Sequence, residues 1–198
     1  MAIGPGKPAD INWNSGYWVF LDIGFSGRSR TNGLLLHESQ PIELLFSEAV
    51  DEVIAAAERQ GRLNLVIEAP LSAAFDPQGN PRGRSIEKRG GQTRYWYVGP
   101  GCAVMVAATY LLQRLRDSDP NADIRLFEGF VSYKERHTAS HHSQDVELLR
   151  EVVRSPAEFA EAIVSGDDLA VSADDTVVSA FAVAGMDFGV PPVIIRDV

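Results

Sequence analysis

Residues 17–25, Tyr-Trp-Val-Phe-Leu-Asp-Ile-Gly-Phe, form an almost unbroken apolar run rich in aromatic and β-branched side chains. Such a run suits a strand covered on both faces, hence a central one. Residues 26–33 are loop chemistry, and Leu34-Leu35-Leu36 then resumes an extended run. Strand, turn and strand at this spacing predict a hairpin. Pro41-Ile42-Glu43-Leu44-Leu45 adds a short third strand. From residue 47 to 60 the period changes. Phe46, Ala49, Val50, Val53, Ile54 and Ala57 recur at helical spacing, and Gly61 offers a stop. Residues 63–68 predict a second buried strand, closed by Ala69-Pro70.

Further along, residues 100–116 predict a helix with Pro in the first turn and Val104, Ala108, Leu111, Leu112 and Leu115 on one face. Residues 123–128 predict a third buried strand, and residues 143–154 an amphipathic helix. Ser155-Pro156-Ala157-Glu158 reads as a capping box opening another helix that Gly166 closes. Asp174-Asp175-Thr176 opens a last helix over residues 177–184, and the apolar tail 191–195 packs back on the domain. An antiparallel start followed by βα alternation predicts an α/β fold with a mixed sheet and helices on both faces.

Length and composition narrow this. The chain has 198 residues, 45% apolar and 23% charged, which suits one globular domain over residues 17–198. Residues 1–16 begin with a Gly- and Pro-rich stretch and are expected to be poorly ordered. No apolar run reaches bilayer length, so no membrane partner is expected. The start of the chain has no signal-peptide pattern, and Cys102 is the only cysteine, so a cytoplasmic location is expected. A net charge of −9 argues against a broad phosphate-binding surface. A local basic strip stands out at residues 82–94, with Arg82, Arg84, Lys88, Arg89 and Arg94. It lies in a long connection, residues 75–97, of the kind that often carries function.

The candidate chemistry lies in acids placed against the hydrophobic pattern. Asp22, Glu68 and Glu128 each stand in or just after an apolar strand, and Asp174-Asp175 opens the last predicted helix. Burying a carboxylate without a partner is expensive. A cluster of them needs protons, basic partners or hard divalent cations such as Mg²⁺. Each acid also has an ordinary reading. Asp22 could bond a turn, and Glu68 could pair with Arg62 or Arg84. Glu128 could be a solvated strand end, and Asp174 or Asp175 a helix N-terminal acid.

The order of these acids resembles the ribonuclease H-like superfamily. There a first-strand Asp, an acid on or just after the fourth strand, and an Asp at the last helix hold two metal ions. Val66-Ile67-Glu68-Ala69-Pro70-Leu71 is similar to the strand-ending acid of RuvC-like resolvases, and residues 175–180 resemble that group's Asp-Ala-rich helix start. A nearer resemblance is to a prokaryotic family of RNase H-fold predicted nucleases, through Asp22, Glu68-Ala69-Pro70, the Arg84 to Arg94 segment, Glu128 and Asp175. The resemblance implies an RNase H-like mixed sheet of about five strands. It implies catalytic and metal-holding roles for Asp22, Glu68 and Asp175, with Asp174 and Glu128 as further ligands. Mg²⁺ or Mn²⁺ would be the cofactor, nucleic acid the partner and phosphodiester hydrolysis the reaction. Arg84, Lys88, Arg89 and Arg94 would steady the substrate phosphate. The competing expectation is a non-catalytic module of the same fold that binds a protein or nucleic acid through its Arg-rich loop.

Other candidates carry less. His137, His141 and His142 read as a polar surface segment, with no Cys or fourth His nearby to complete a zinc site. The loop at Gly24 lacks the P-loop Gly-Lys-Ser pattern, and no Gly-x-Ser-x-Gly elbow is present. Cys102 reads as helix packing, Trp18 as core, and Trp13 and Trp96 as residues able to stack on bases.

Overall fold

The computed structural model describes residues 2–24, 29–89, 92–93, 100–132 and 141–197. In chain order these give β1 (Ala2–Pro5), β2 (Tyr17–Asp22), β3 (Asn32–Leu36), β4 (Ile42–Leu44), α1 (Phe46–Arg59), β5 (Arg62–Glu68), β6 (Ser72–Phe75) and β7 (Pro81–Arg82). Then follow β8 (Lys88–Arg89), β9 (Gln92–Thr93), α2 (Pro100–Ser118), β10 (Asp123–Ser132), α3 (His142–Arg154), β11 (Ile163–Val164), β12 (Thr176–Ser179) and β13 (Val193–Asp197).

The α/β class holds, with a mixed main sheet. It has eight strands rather than about five, in the order β11-β13-β10-β5-β2-β3-β4, with β1 also on β10. The strands expected from the apolar runs form the part β10-β5-β2-β3-β4. Within it β2, β5 and β10 are parallel, and β3 and β4 are antiparallel. The extra strands lie beyond β10. β1 pairs with its first half, Ala2 opposite Asp123, and β13 with its second half, Glu128 opposite Val193. Within the N-terminal segment, Ala2–Pro5 pairs with β10, whose open edge gives it a backbone partner.

Side chains of a strand alternate between faces. Val19 and Leu21 of β2, Leu63, Leu65 and Ile67 of β5, and Ile124 and Leu126 of β10 pack under α1 and α2. Trp18 and Phe20, Val66 and Phe127 pack under α3, against Val146, Leu149, Val152 and Val153. Helix α1 buries Ala49, Val50, Val53, Ala56 and Ala57, and Glu48 satisfies its open end by accepting from the Leu45 N–H at 3.0 Å.

Two predicted helices are absent. The segment after Ser155 forms a turn and a short 3₁₀ segment, Ala160–Ala162, before β11 pairs with β13. The segment after Asp175 is β12, antiparallel to β6 with Thr176 opposite Phe75. The β-branched Thr176-Val177-Val178 suits a strand, and pairing with β6 outweighs the helix-start signal of the two acids. Strands β12, β6 and β7 make a second sheet, and β8 and β9 a two-stranded one. Among the described residues, no helix is long and apolar enough to cross a membrane.

Candidate functional site

Strands β2 and β5 end on acids in direct register, Asp22 opposite Glu68. Both are buried, at 2% and 7% exposure. Alternation places them on the α3 face, since Phe20 and Val66 two residues earlier pack there. Helix α3 starts at His142, and Asp145 stands three residues on. That spacing puts both on one side of the first turn. His142 Nδ1 lies 2.7 Å from Asp22 Oδ2. Glu68 Oε1 accepts from the Val131 N–H at 3.2 Å.

One ligand atom each from Asp22, Glu68, His142 and Asp145 lies within 4.8 Å of the others, the one such group among the described residues. At that separation two carboxylates repel by roughly 3–4 kcal/mol at an effective dielectric near 20. A divalent cation reverses the sign of these interactions. Three carboxylates and one imidazole suit an oxygen-preferring ion such as Mg²⁺ or Mn²⁺, and the imidazole widens the fit toward Mn²⁺. Asp145 also sits in the first turn of α3, where the helix dipole favours negative charge.

The other proposed ligands go elsewhere. Glu128 of β10 projects from the opposite face of the sheet. Its Oε2 accepts from the Leu71 N–H at 2.8 Å and from Arg84 Nη1 at 2.8 Å, and its Oε1 from Arg84 Nη2 at 2.7 Å. Arg84 is wholly buried and also donates to Glu87 Oε1 and Ser72 Oγ. Its expected role of steadying a phosphate is therefore corrected: its donors are spent on interior partners. Burial works against the charged guanidinium, yet Glu128 and Glu87 more than offset this and raise its pKa. Burial likewise pushes the Glu87 carboxyl above its ordinary range, with Arg84 offsetting part of the rise.

Asp175 is also corrected as a ligand. Its Oδ1 accepts from Arg82 at 3.0 Å and its Oδ2 from the Ser172 N–H at 2.9 Å, fixing the turn into β12. Asp174 is exposed beside it, and neither belongs to the cluster. Lys88 and Arg89 pair through their backbones with Thr93 and Gln92. Their side chains, and all of Arg94, His137 and Trp96, lie outside the described residues. Arg62 pairs with Asp123 rather than with Glu68.

Sequence reasoning missed His142 and Asp145. His142 reads as part of a polar segment, and Asp145 falls in the predicted amphipathic helix 143–154 without being singled out. The available signal was the His-x-x-Asp spacing at a helix start. His141 is the residue before the helix, and its carbonyl accepts from the Gln144 and Asp145 N–H groups. Cys102 is exposed rather than packed, and Trp18 is core. Trp13 stacks on His37 with the Arg154 guanidinium over it, near the end of β2 away from Asp22.

Comparison of the chain with protein-family models, with curated proteins and with solved structures found no match.

Proposed function

We propose that the chain is a metal-dependent phosphodiester hydrolase built on a ribonuclease H-like sheet. The observation that carries this is the convergence of Asp22, Glu68, His142 and Asp145 at the ends of two central parallel strands and the start of α3. The order β4-β3-β2-β5-β10 supports it. In that order the first long strand, the fourth strand and the helix after the fifth each supply an acid. The third acidic role thus moves from Asp175 to Asp145, because α3 is the helix that follows β10.

Asp22, Glu68, Asp145 and His142 would hold Mg²⁺ or Mn²⁺. When bound, such an ion supplies Lewis-acid stabilisation of a phosphoryl oxygen and a water of lowered pKa. The chain's own groups do the positioning. The Val131 N–H orients Glu68, and Asp22 holds the His142 ring in place through Nδ1. With Asp22 ionised, that nitrogen is the donor. Both acids stand on adjacent parallel strands of the core, a rigid base for a site that must hold its geometry.

The test is cleavage of labelled single-stranded, duplex and branched DNA and RNA in millimolar Mg²⁺ or Mn²⁺. The expected result is cation-dependent cleavage of at least one substrate, abolished by chelation and by Asp22→Asn. If no substrate is cleaved and neither cation raises the melting temperature, the hydrolase falls and a non-catalytic binding module replaces it.

A further inference from the structure

Four residues form one row across four neighbouring strands. Asp22 is opposite Gly33 of β3 on one side and Glu68 of β5 on the other. Gly129 of β10 follows Glu128, the partner of Ile67, and so stands beside Glu68. The row reads Gly-Asp-Glu-Gly, and α3 lies over it. Glycine inside a strand weakens it and often marks a place where another backbone comes close.

Both glycines meet α3. A Cβ on Gly33 would lie 2.2 Å from the His142 carbonyl oxygen, 2.4 Å from its carbonyl carbon and 2.9 Å from the Ser143 nitrogen. These are backbone atoms, which cannot turn aside as a side chain can. A Cβ on Gly129 would lie 2.7 Å from Leu149 Cδ1, two turns further along α3, and 3.3 Å from Val66 Cγ1. The helix therefore rests directly on the sheet at its first turn and closely again at Leu149.

The geometry points to Gly33, with Gly129 in support, as a positioning residue for the acidic site. The missing side chains set the height of α3 above the sheet. That height decides whether His142 and Asp145 reach Asp22 and Glu68. A methyl group at position 33 meets backbone atoms of α3, so the seat of the first turn has to shift, and disturbing what orients metal ligands costs about 10–100-fold in metal affinity. Metal–ligand distances tolerate roughly 0.2 Å. The consequence for metal affinity rests on the proposed cation centre; the consequence for the His142–Asp22 hydrogen bond does not.

The experiment uses the full chain, metal-free, with ¹⁵N-labelled histidine. The His142 imidazole shifts report the Nδ1 hydrogen bond to Asp22, and Mn²⁺ is then titrated. In Gly33→Ala the His142 shifts should move toward those of a solvent-exposed ring, and Mn²⁺ affinity should fall by about 10–100-fold. In Gly129→Ala the shifts should move the same way but less, because Leu149 Cδ1 can turn aside. A methyl group that only destabilises the fold lowers the melting temperature and leaves the His142 shifts of the folded chain in place. Native His142 shifts in Gly33→Ala overturn the proposal. If that variant does not fold, native shifts in Gly129→Ala overturn it. Should the native chain bind no Mn²⁺ while Gly33→Ala still moves the His142 shifts, the cation centre falls and the positioning role stands.

Discussion

Glu68 and Glu128 stand on neighbouring strands one register step apart, and their side chains leave the sheet in opposite directions. Glu68 joins Asp22, His142 and Asp145 under α3. Glu128 meets Arg84, Ser72 and the Leu71 amide on the other face. Both are buried glutamates, Glu68 at the end of β5 and Glu128 inside β10, yet they have different partners. Around Glu128 both carboxylate oxygens are held by a guanidinium and a backbone amide, which is a structural ion pair. Around Glu68, ligand atoms of three carboxylates and an imidazole lie within 4.8 Å of one another, the grouping on which the proposed cation centre rests. The pleat of one strand decides between them, since a shift of one residue moves a side chain to the other face.

The contrast breaks most sharply when each cluster loses its central group. Asp22→Asn should reduce cation-dependent cleavage by about 1,000-fold or more while leaving the urea unfolding free energy within about 1 kcal/mol of native. Arg84→Ala should do the reverse. It leaves Glu87 and Glu128 buried without their guanidinium, a change that costs roughly 3–5 kcal/mol. Urea unfolding checks it, and an Arg84→Ala chain as stable as the native one would erase the distinction between the two clusters. His142→Ala should be milder, lowering Mn²⁺ affinity by on the order of 10–100-fold in a calorimetric titration. Unchanged affinity would remove His142 from the centre.

The smallest effect concerns pH. Burial raises the folded-state pKa of Glu87 above its ordinary 4.5, with Arg84 offsetting part of the rise. The folded chain therefore holds this proton more tightly than the unfolded chain. The stability gained is fully present below the unfolded value and is lost as pH rises through the folded one. Glu87→Gln should abolish that component. The difference in unfolding free energy, native minus Glu87→Gln, should therefore decline as pH rises from about 4 toward neutral. A difference that climbs with pH would show that Arg84 depresses this carboxyl instead.

Much of the central sheet was legible in the chain because its strands are long apolar runs, and an acid inside such a run is conspicuous. Asp22 and Glu68 were visible for that reason. Asp145 was not, because an acid in the first turn of a polar helix is common on electrostatic grounds alone. Only the seating of α3 on β3 and β10 reveals its neighbours. Arg84 misled in the opposite sense. It lies in a Gly-rich basic strip that suggests a phosphate-binding loop, while its burial depends on Glu128, 44 positions away. Asp175 misled because two acids before a Thr resemble a helix start. The β-branched residues that follow found a strand partner in β6, which no local pattern announces. Local periodicity thus found the sheet, and long-range pairing chose which acids share a site.

The most direct test of the cation centre is a calorimetric titration of Mn²⁺ into the native chain, Asp145→Asn and Asp175→Asn. The native chain should bind, Asp145→Asn should lose about 10-fold or more in affinity, and Asp175→Asn should match the native chain. Affinity lost equally in both variants, or retained in Asp145→Asn, would contradict a centre built from Asp22, Glu68, His142 and Asp145.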